Sequence, residues 1–305
     1  MVPYVLSRLV RGALTVFGVM IVIFLLTRAS GDPAATLQGD SNDPARYEQI
    51  RRDLGLDKPL YEQFGTYLSD VLRGDLGESW NYRRPTMDVV ADRLPESIKL
   101  AGAGLLVSVG LGVPLGVVAA ARRGGFVDML ARTFGLLGQS IPTFWVGIML
   151  VLIFSVQLEL LPSSGTGGLK HLILPAIAVG WFSTASVLRL TRSAMLDVLD
   201  SEYIKMARIK GLSEARVIWR HALKNASIPI VTIAGIQLAA LLTGAVVTES
   251  IFAWPGIGSL VVTAANGRDF PVVQTVALLA AVAFVAVNLL VDILYGYLDP
   301  RIWAR

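Results

Sequence analysis

Long uncharged runs, rather than an alternation of apolar and polar positions, set the pattern of this chain. Six stretches contain no Asp, Glu, Lys, Arg or His: residues 12–27, 100–121, 133–158, 172–188, 226–248 and 270–291. A bilayer core about 30 Å thick is crossed by roughly 20 helical residues, with about 17–25 as the workable range. The second, third, fifth and sixth runs meet that length unaided. The first reaches it with Leu9, Val10, Arg28 and Ala29, the arginine snorkelling at one end. The fourth contains Pro175 and is predicted to be short or kinked. Helices buried in a soluble core rarely run beyond about 18 residues without a charge. The pattern therefore predicts an all-α integral membrane protein with six transmembrane helices. Arg8 and Arg11 ahead of the first run resemble the start of a signal peptide. Arg28 and Asp32, however, occupy the place where a small-residue cleavage site would lie, so the run is read as a retained helix.

Composition supports this reading and removes alternatives. Of 305 residues, 54% are hydrophobic and 16% charged, with a mean hydropathy of +0.61. A soluble domain carries about 25% charged residues. A water-soluble enzyme, a disordered scaffold and a fibrous protein are thereby excluded. There is no cysteine, and His171 and His221 are the only histidines, so neither a disulfide framework nor a thiolate or multi-histidine metal centre is expected. The net charge of +4 would suit a nucleic-acid partner in a soluble chain, but its distribution follows the rule that cytoplasmic loops are basic. With the N-terminus inside, the cytoplasm holds Arg8, Arg11, Arg122, Arg123, Arg132, eight basic residues within 189–225, Arg301 and Arg305. The short outer loops hold only Lys170 and Arg268. The expected topology is N-in and C-in, with lipid and no nucleic acid as surroundings.

Three regions result: 1–29, the N-terminus and first helix; 30–99, an extracytoplasmic helical segment; and 100–305, a five-helix core that includes the cytoplasmic loop 189–225. In the outer segment, Asp43-Pro44 is an N-cap followed by proline at the first helical position, and Gly55 ends that helix. Pro59 starts another. Leu60, Phe64, Tyr67, Leu68, Val71 and Leu72 then recur at helical spacing as far as Gly74. This amphipathic helix packs on the outer ends of the spans or docks an external partner.

The runs lack intramembrane charges, which ion-driven transporters and voltage sensors generally need. Gly138-Gln139-Ser140 is no nucleophile elbow, and neither histidine lies in a span, so no catalytic residue is expected. No G-x-x-x-x-G-K-[ST] loop exists to cradle a nucleotide, so this chain by itself is not read as an ATPase or other enzyme. A membrane pathway without its own energy source is either a passive channel or part of a larger machine. An ion-coupled carrier and a membrane scaffold are the other classes weighed. Gly104, Ser108, Gly112, Gly116 and Ala120 recur every four positions, which predicts one face of close helix packing. Gln139, Ser140, Thr143, Ser183, Thr184, Gln237 and Thr243 are candidates for a substrate path, with Ser186 and Asn288 beside them.

The loop 189–225 carries eight basic and four acidic residues and reads as a helix–Gly–helix hairpin. Gly211 suits the left-handed position that stops a helix, and Ser213 can cap the next. Tyr203-Ile204-Lys205-Met206-Ala207-Arg208-Ile209-Lys210-Gly211-Leu212-Ser213, followed by Arg220-His221-Ala222-Leu223-Lys224-Asn225-Ala226, resembles the EAA loop of ABC importer permeases. The resemblance is to the dipeptide/oligopeptide/nickel branch and runs nearly end to end. It includes Leu54-Gly55-Leu56-Asp57-Lys58-Pro59, Gly74-Asp75-Leu76-Gly77-Glu78-Ser79, Ile141-Pro142-Thr143-Phe144-Trp145 and Leu160-Leu161-Pro162-Ser163-Ser164-Gly165. Glu249-Ser250-Ile251-Phe252, Pro255-Gly256-Ile257-Gly258 and Leu298-Asp299-Pro300-Arg301 complete it. Aligned on Gly211, the family's glutamate falls on Lys205 and its first alanine on Met206, so a glutamate–ATPase ion pair is not implied; Ala207 keeps the motif.

The resemblance implies a type I ABC importer permease fold in a bacterial inner membrane. The partners it implies are a second, similar permease chain, two cytoplasmic ATPases that hold ATP and Mg, and an extracytoplasmic solute-binding protein. No cofactor is expected on this chain. Tyr203, Lys205, Ala207, Lys210, Gly211, Leu212 and Ser213 would couple to an ATPase, with Ala207 as a small residue at the tip. The solute would be a di- or oligopeptide, or another cargo of the branch such as a nickel chelate, glutathione or an opine.

Overall fold

The computed structural model describes residues 2–38, 43–242 and 245–298, and every regular element among them is a helix. Thr243, Arg301, Arg305 and the Asp299-Pro300 pair of the tail motif lie outside the described residues. The frame is built on α5 (Thr86–Ala121) and α8 (Leu169–Leu199), which share the most extensive interface in the molecule. The expected small-residue face makes that interface. Gly104, Ser108, Gly112, Gly116 and Ala120 are all buried on α5. A Cβ on Gly116 would sit 2.7 Å from the Leu188 carbonyl oxygen, and one on Gly112 would sit 2.9 Å from that of Thr184. Only glycine lets the two backbones approach so closely, which is how helices gain packing where lipid offers no hydrophobic drive. Pro175 does not shorten α8: it sits near the start of a 31-residue helix.

Helix α1 (Val2–Ala29) lies antiparallel to α14 (Phe270–Leu298). Arg8 Nε and Asp292 Oδ2 pair at 2.9 Å near one end, and Gln274 Nε2 donates to Thr27 Oγ1 at 2.8 Å near the other. The segment after α1 forms α2 (Pro33–Gln38), α3 (Pro44–Asp53) and α4 (Leu60–Leu72). The expected punctuation holds. Asp43 accepts from the Ala45 N–H, Pro44 opens α3, Gly55 takes φ +62, Pro59 precedes α4, and Gly74 takes φ +82 beyond it. Phe64 and Tyr67 of α4 pack on Phe24 of α1, with ring centroids 5.4 and 6.0 Å away. Leu60 and Leu72 stay exposed, so the stripe is only partly used. The turn before α5 is pinned from afar by the buried Asp269 carboxylate. It accepts from Ser79 Oγ at 2.5 Å, from Trp80 N at 3.2 Å and from Asn81 N at 3.1 Å.

Two expected spans are corrected. The run 133–158 is not one straight helix: α6 (Phe126–Ser140) and α7 (Thr143–Leu150) meet at 102°. Ile141 precedes Pro142, whose ring disfavours the helical region for it, and it is extended at φ −81, ψ 124. Beyond α7 the backbone widens into a π-helix, Val151–Gln157. The run 226–248 is also interrupted: α11 (Leu223–Leu242) stops short of its end, and α12 (Val246–Ile251) follows. Among the described residues, five helices are long and apolar enough to cross a membrane, and six if the bent pair counts as one crossing. Helix α13 (Ile257–Asn266) then leads to α14.

Candidate functional site

At the end of α8 the chain turns at Ser201 into α9 (Glu202–Ile209), and α10 (Glu214–Arg216) follows the turn at Gly211. The turn is a Schellman stop. Leu212 N–H donates to the Ala207 carbonyl at 3.3 Å, and Gly211 N–H donates to that of Arg208 at 2.9 Å. Gly211 takes φ +78, and an added Cβ would meet nothing within 4 Å, so the glycine is required by backbone geometry rather than by space. Ser213 occupies the cap position of α10, but its side chain makes no capping bond. Arg208 closes the hairpin on Glu214 with two contacts, at 2.8 and 3.3 Å. Tyr203 accepts from Asn225 Nδ2 at 2.7 Å.

The hairpin is rooted in an apolar cluster. Ile204, Val217 and Ala222 are buried against Val117 of α5 and Met195 of α8, and Ala207 and Leu212 pack on the same cluster. Ala207 is thus partly buried against this cluster rather than fully exposed. Tyr203, Lys205, Lys210, Gly211 and Ser213 are exposed. So are three apolar side chains outside the predicted coupling set: Met206 at 53%, Ile209 at 77% and Trp219 at 47%. Their signal lay in the pattern: Ile209 does not share the face of the buried Ile204. Nearby, Asp128 is buried and takes Arg192 Nε and Nη2 at 2.5 and 3.0 Å, fixing α6 to α8 close to the hairpin.

The candidate path residues separate. Thr143, Ser183 and Gln237 line one cavity of about 350 Å³, bounded by α7, α8, α11 and α12. Ser183 Oγ donates to Gln237 Oε1 at 3.1 Å, and among the described residues no acceptor for the Gln237 amide nitrogen is seen. Phe182, Ala240 and Val247 complete an uncharged wall. Gln139 lies outside that lining and donates to Ser186 Oγ at 2.9 Å. Thr184 is buried and bonds back to the Gly180 carbonyl at 2.8 Å. Ser140 bonds back to Leu136, and Asn288 belongs to α14, where it bonds to Phe284. None of these three joins the cavity.

Above the cavity, Glu249 of α12 gives the Glu249–Gly258 motif its physical meaning. Its buried carboxylate accepts from Ser259 N at 2.7 Å and from Ser97 Oγ at 3.3 Å, and Ser97 Oγ accepts in turn from Ile257 N at 2.7 Å. Trp254 Nε1 donates to the Glu96 carbonyl at 3.0 Å. A Cβ on Gly256 would fall 2.3 Å from Glu249 Oε1, so the loop must be glycine to close on the acid. Burial pushes the Glu249 carboxyl above the usual carboxylate range, against the pull of the N–H donors. Alpha-12 and α13 are thereby clasped to the start of the apolar part of α5.

Residues 112–304 match the family model described as binding-protein-dependent transport system inner membrane component, and residues 1–101 match that of its N-terminal region. The chain is 40% identical over 303 residues to the glutathione transport system permease protein of Escherichia coli (strain K12), covering 99% of each. It is 41% identical over 332 residues to the di/tripeptide transport system permease protein of Pseudomonas aeruginosa (strain UCBPP-PA14), again covering 99% of each. Among solved structures, the inward-facing MetNI methionine ABC transporter superposes with a TM-score of 0.60 at 18% identity. The match covers 70% of this chain and 97% of that one.

Proposed function

The chain belongs to the family of binding-protein-dependent transport system inner membrane components, and from that membership we propose a placement and a division of labour for its parts. It is the permease subunit of an ABC importer of the peptide family. It crosses the bacterial inner membrane six times, with α6 and α7 together making one crossing. Both ends and the α9–α10 hairpin lie in the cytoplasm, a reading supported by the basic residues of 189–225. The partners are a second permease chain, two ATPases that carry ATP and Mg, and an extracytoplasmic binding protein. Residues 30–99 face that protein.

The solute is a di- or tripeptide or glutathione, a reading supported by the names of the relatives. Thr143, Ser183 and Gln237 form one wall of its path, and the second permease supplies the other. An uncharged wall that carries the Gln237 amide accepts peptide groups without selecting the charge of their side chains. ATP closes the ATPase dimer, the hairpins move with it, and the path alternates between the two sides.

One observation carries this reading above all. A locked hairpin, rooted on both α5 and α8, presents Met206, Ile209 and Trp219 to the side where an ATPase would dock. A rigid knob with an apolar outer face transmits a push to the two central helices. The experiment is uptake of labelled dipeptide and glutathione into proteoliposomes holding the assembled transporter, with the matched binding protein outside and ATP inside. Uptake that needs both, and is lost in Gly211→Val although the assembly remains intact, is the expected result. Uptake by this chain without ATPases would establish the channel reading instead.

A further inference from the structure

Most of α8 is buried, but one stripe of it is not. Phe182, Arg189, Ser193 and Asp197 are exposed and Ser186 is half-buried, at successive spacings of three or four residues that place all five on one helix face. Thr184, Ala185, Val187, Leu188 and Thr191 turn the other faces inward and are buried. The stripe begins at the cavity lined by Thr143, Ser183 and Gln237, whose wall includes Phe182, and it runs toward the hairpin. On α6, the half-buried Gln139 and the exposed Leu136 and Arg132 follow a parallel course. Gln139 Nε2 donates to Ser186 Oγ at 2.9 Å, so the two stripes lie side by side along the α6–α8 seam.

Beyond that pair a second cavity, of about 250 Å³, opens on the same flank of the seam. Leu136 and Leu188 give it an apolar floor, and Arg132, Arg189 and Arg192 supply its charges. Asp128, the buried acid of α6, holds Arg192 Nε and Nη2 and lies 3.7 Å from Arg132 Nε. Arg189 makes no ion pair among the described residues. Three guanidinium groups thus meet one carboxylate, and the surplus calls for an anion. Arg132 directly precedes the uncharged run 133–158 and Arg189 directly follows the run 172–188, so this cavity lies at the end of the spans nearest the hairpin. Seven residues of helix, about 10 Å at 1.5 Å per residue, separate Phe182 from Arg189. An extended tripeptide is about as long, at roughly 3.3–3.6 Å per residue.

We propose that the Arg132–Arg189 cavity is a carboxylate subsite on the cytoplasmic side of the solute path, which takes the terminal carboxylate of a short peptide while the rest of the solute lies along the seam. The inference rests on the path proposed above and deepens it. A guanidinium fork engages both oxygens of a carboxylate in a way a lysine does not. Arg189 and Arg132 would contact the solute, and Asp128 positions Arg192 beside them. The upper cavity does not discriminate among side chains, whereas the subsite reads a group that every peptide with a free C-terminus carries.

The chain contains no cysteine, so Ser186→Cys places a single thiol between the two cavities. In the assembled transporter, without binding protein or nucleotide, the rate at which N-ethylmaleimide labels this chain is measured with trialanine and with its C-terminal amide. Millimolar trialanine should slow labelling several-fold. The amide should need a concentration about tenfold higher, because it forfeits the charge-assisted bonds to the guanidinium groups. Arg132→Gln combined with Arg189→Gln should bring the free acid down to the level of the amide, and Arg189→Lys should keep part of the difference. The Asp128–Arg192 pair is untouched, so the ATPases should still co-purify. The acid-to-amide comparison in the parent decides the matter even where a variant fails to assemble. Equal protection by acid and amide, no protection by either, or full protection by the acid in the double variant overturns the proposal. Protection by phosphatidylglycerol in place of the peptide would reassign the cavity to an inner-leaflet lipid, which also overturns it. Uptake into proteoliposomes is read in parallel: uptake that needs no ATPase would refute the importer reading, while the labelling ratio still decides the subsite.

Discussion

Ile209 is the position where a substitution separates docking from folding most cleanly. Its side chain is 77% exposed, and Ile209→Asp leaves the Schellman turn, the Arg208–Glu214 bridge and the Ile204 cluster untouched. Exposed substitutions away from such features change stability by about 0.5 kcal/mol or less. Burying an isoleucine is worth about 1.5–3 kcal/mol, so covering the exposed three-quarters is worth at least about 1 kcal/mol. An uncompensated carboxylate in the interface adds about 2–5 kcal/mol. The sum, about 3 kcal/mol at its lower end, weakens ATPase recruitment by roughly 150-fold or more. Ala207→Asp provides the contrast, because Ala207 packs inward: its carboxylate would enter the apolar cluster and disturb the hairpin itself. The assay is co-purification of the ATPases with each variant, alongside thermal unfolding in detergent. Ile209→Asp should keep the wild-type melting curve and lose the ATPases, whereas Ala207→Asp should lower the melting temperature as well. Full recruitment by a well-folded Ile209→Asp chain would show that the apolar face of the hairpin is not the contact.

Three other outcomes are expected. Gly116→Ala places a methyl group 2.7 Å from the Leu188 carbonyl oxygen, so α5 and α8 must part; a loss of about 1–3 kcal/mol should appear as a lower detergent melting temperature, and an unchanged one would contradict the close approach. Because the Glu249 carboxyl titrates above its ordinary value in the fold, its contribution is fully present below the unfolded value of about 4.3 and is lost as pH rises through the folded value. Wild-type stability should therefore fall relative to Glu249→Gln across that window, and parallel pH profiles would refute this. Gln237→Leu removes the amide from the cavity wall but no buried charge, so uptake should fall several-fold while ATP turnover stimulated by the binding protein persists; equal uptake would remove Gln237 from the path.

The solvent and the local backbone were legible in the sequence. A membrane disfavours unpaired backbone groups and isolated charges, so uncharged runs mark largely helical segments. Helix stops at Gly55 and Gly211, and the start at Asp43-Pro44, depend on a few neighbouring residues and lie where those residues put them. The Gly104–Ala120 strip announced a close approach without saying to what. Tertiary structure decided the rest. The run 133–158 has the same composition straight or bent, and only the observed path around Ile141-Pro142 shows the 102° turn. Ser183 and Thr184 are adjacent and chemically alike, yet one lines the cavity and the other bonds back into its own helix. Glu249 finds Ser97 across 152 residues of chain. Ala207 faces the core while Met206 and Ile209 face away from it. For Ser183 and Thr184, and for Ala207 and Ile209, the deciding quantity is the rotation of a helix about its axis, about 100° per residue. That rotation is fixed by the neighbours the helix packs against, and the residues of those neighbours are distant in sequence.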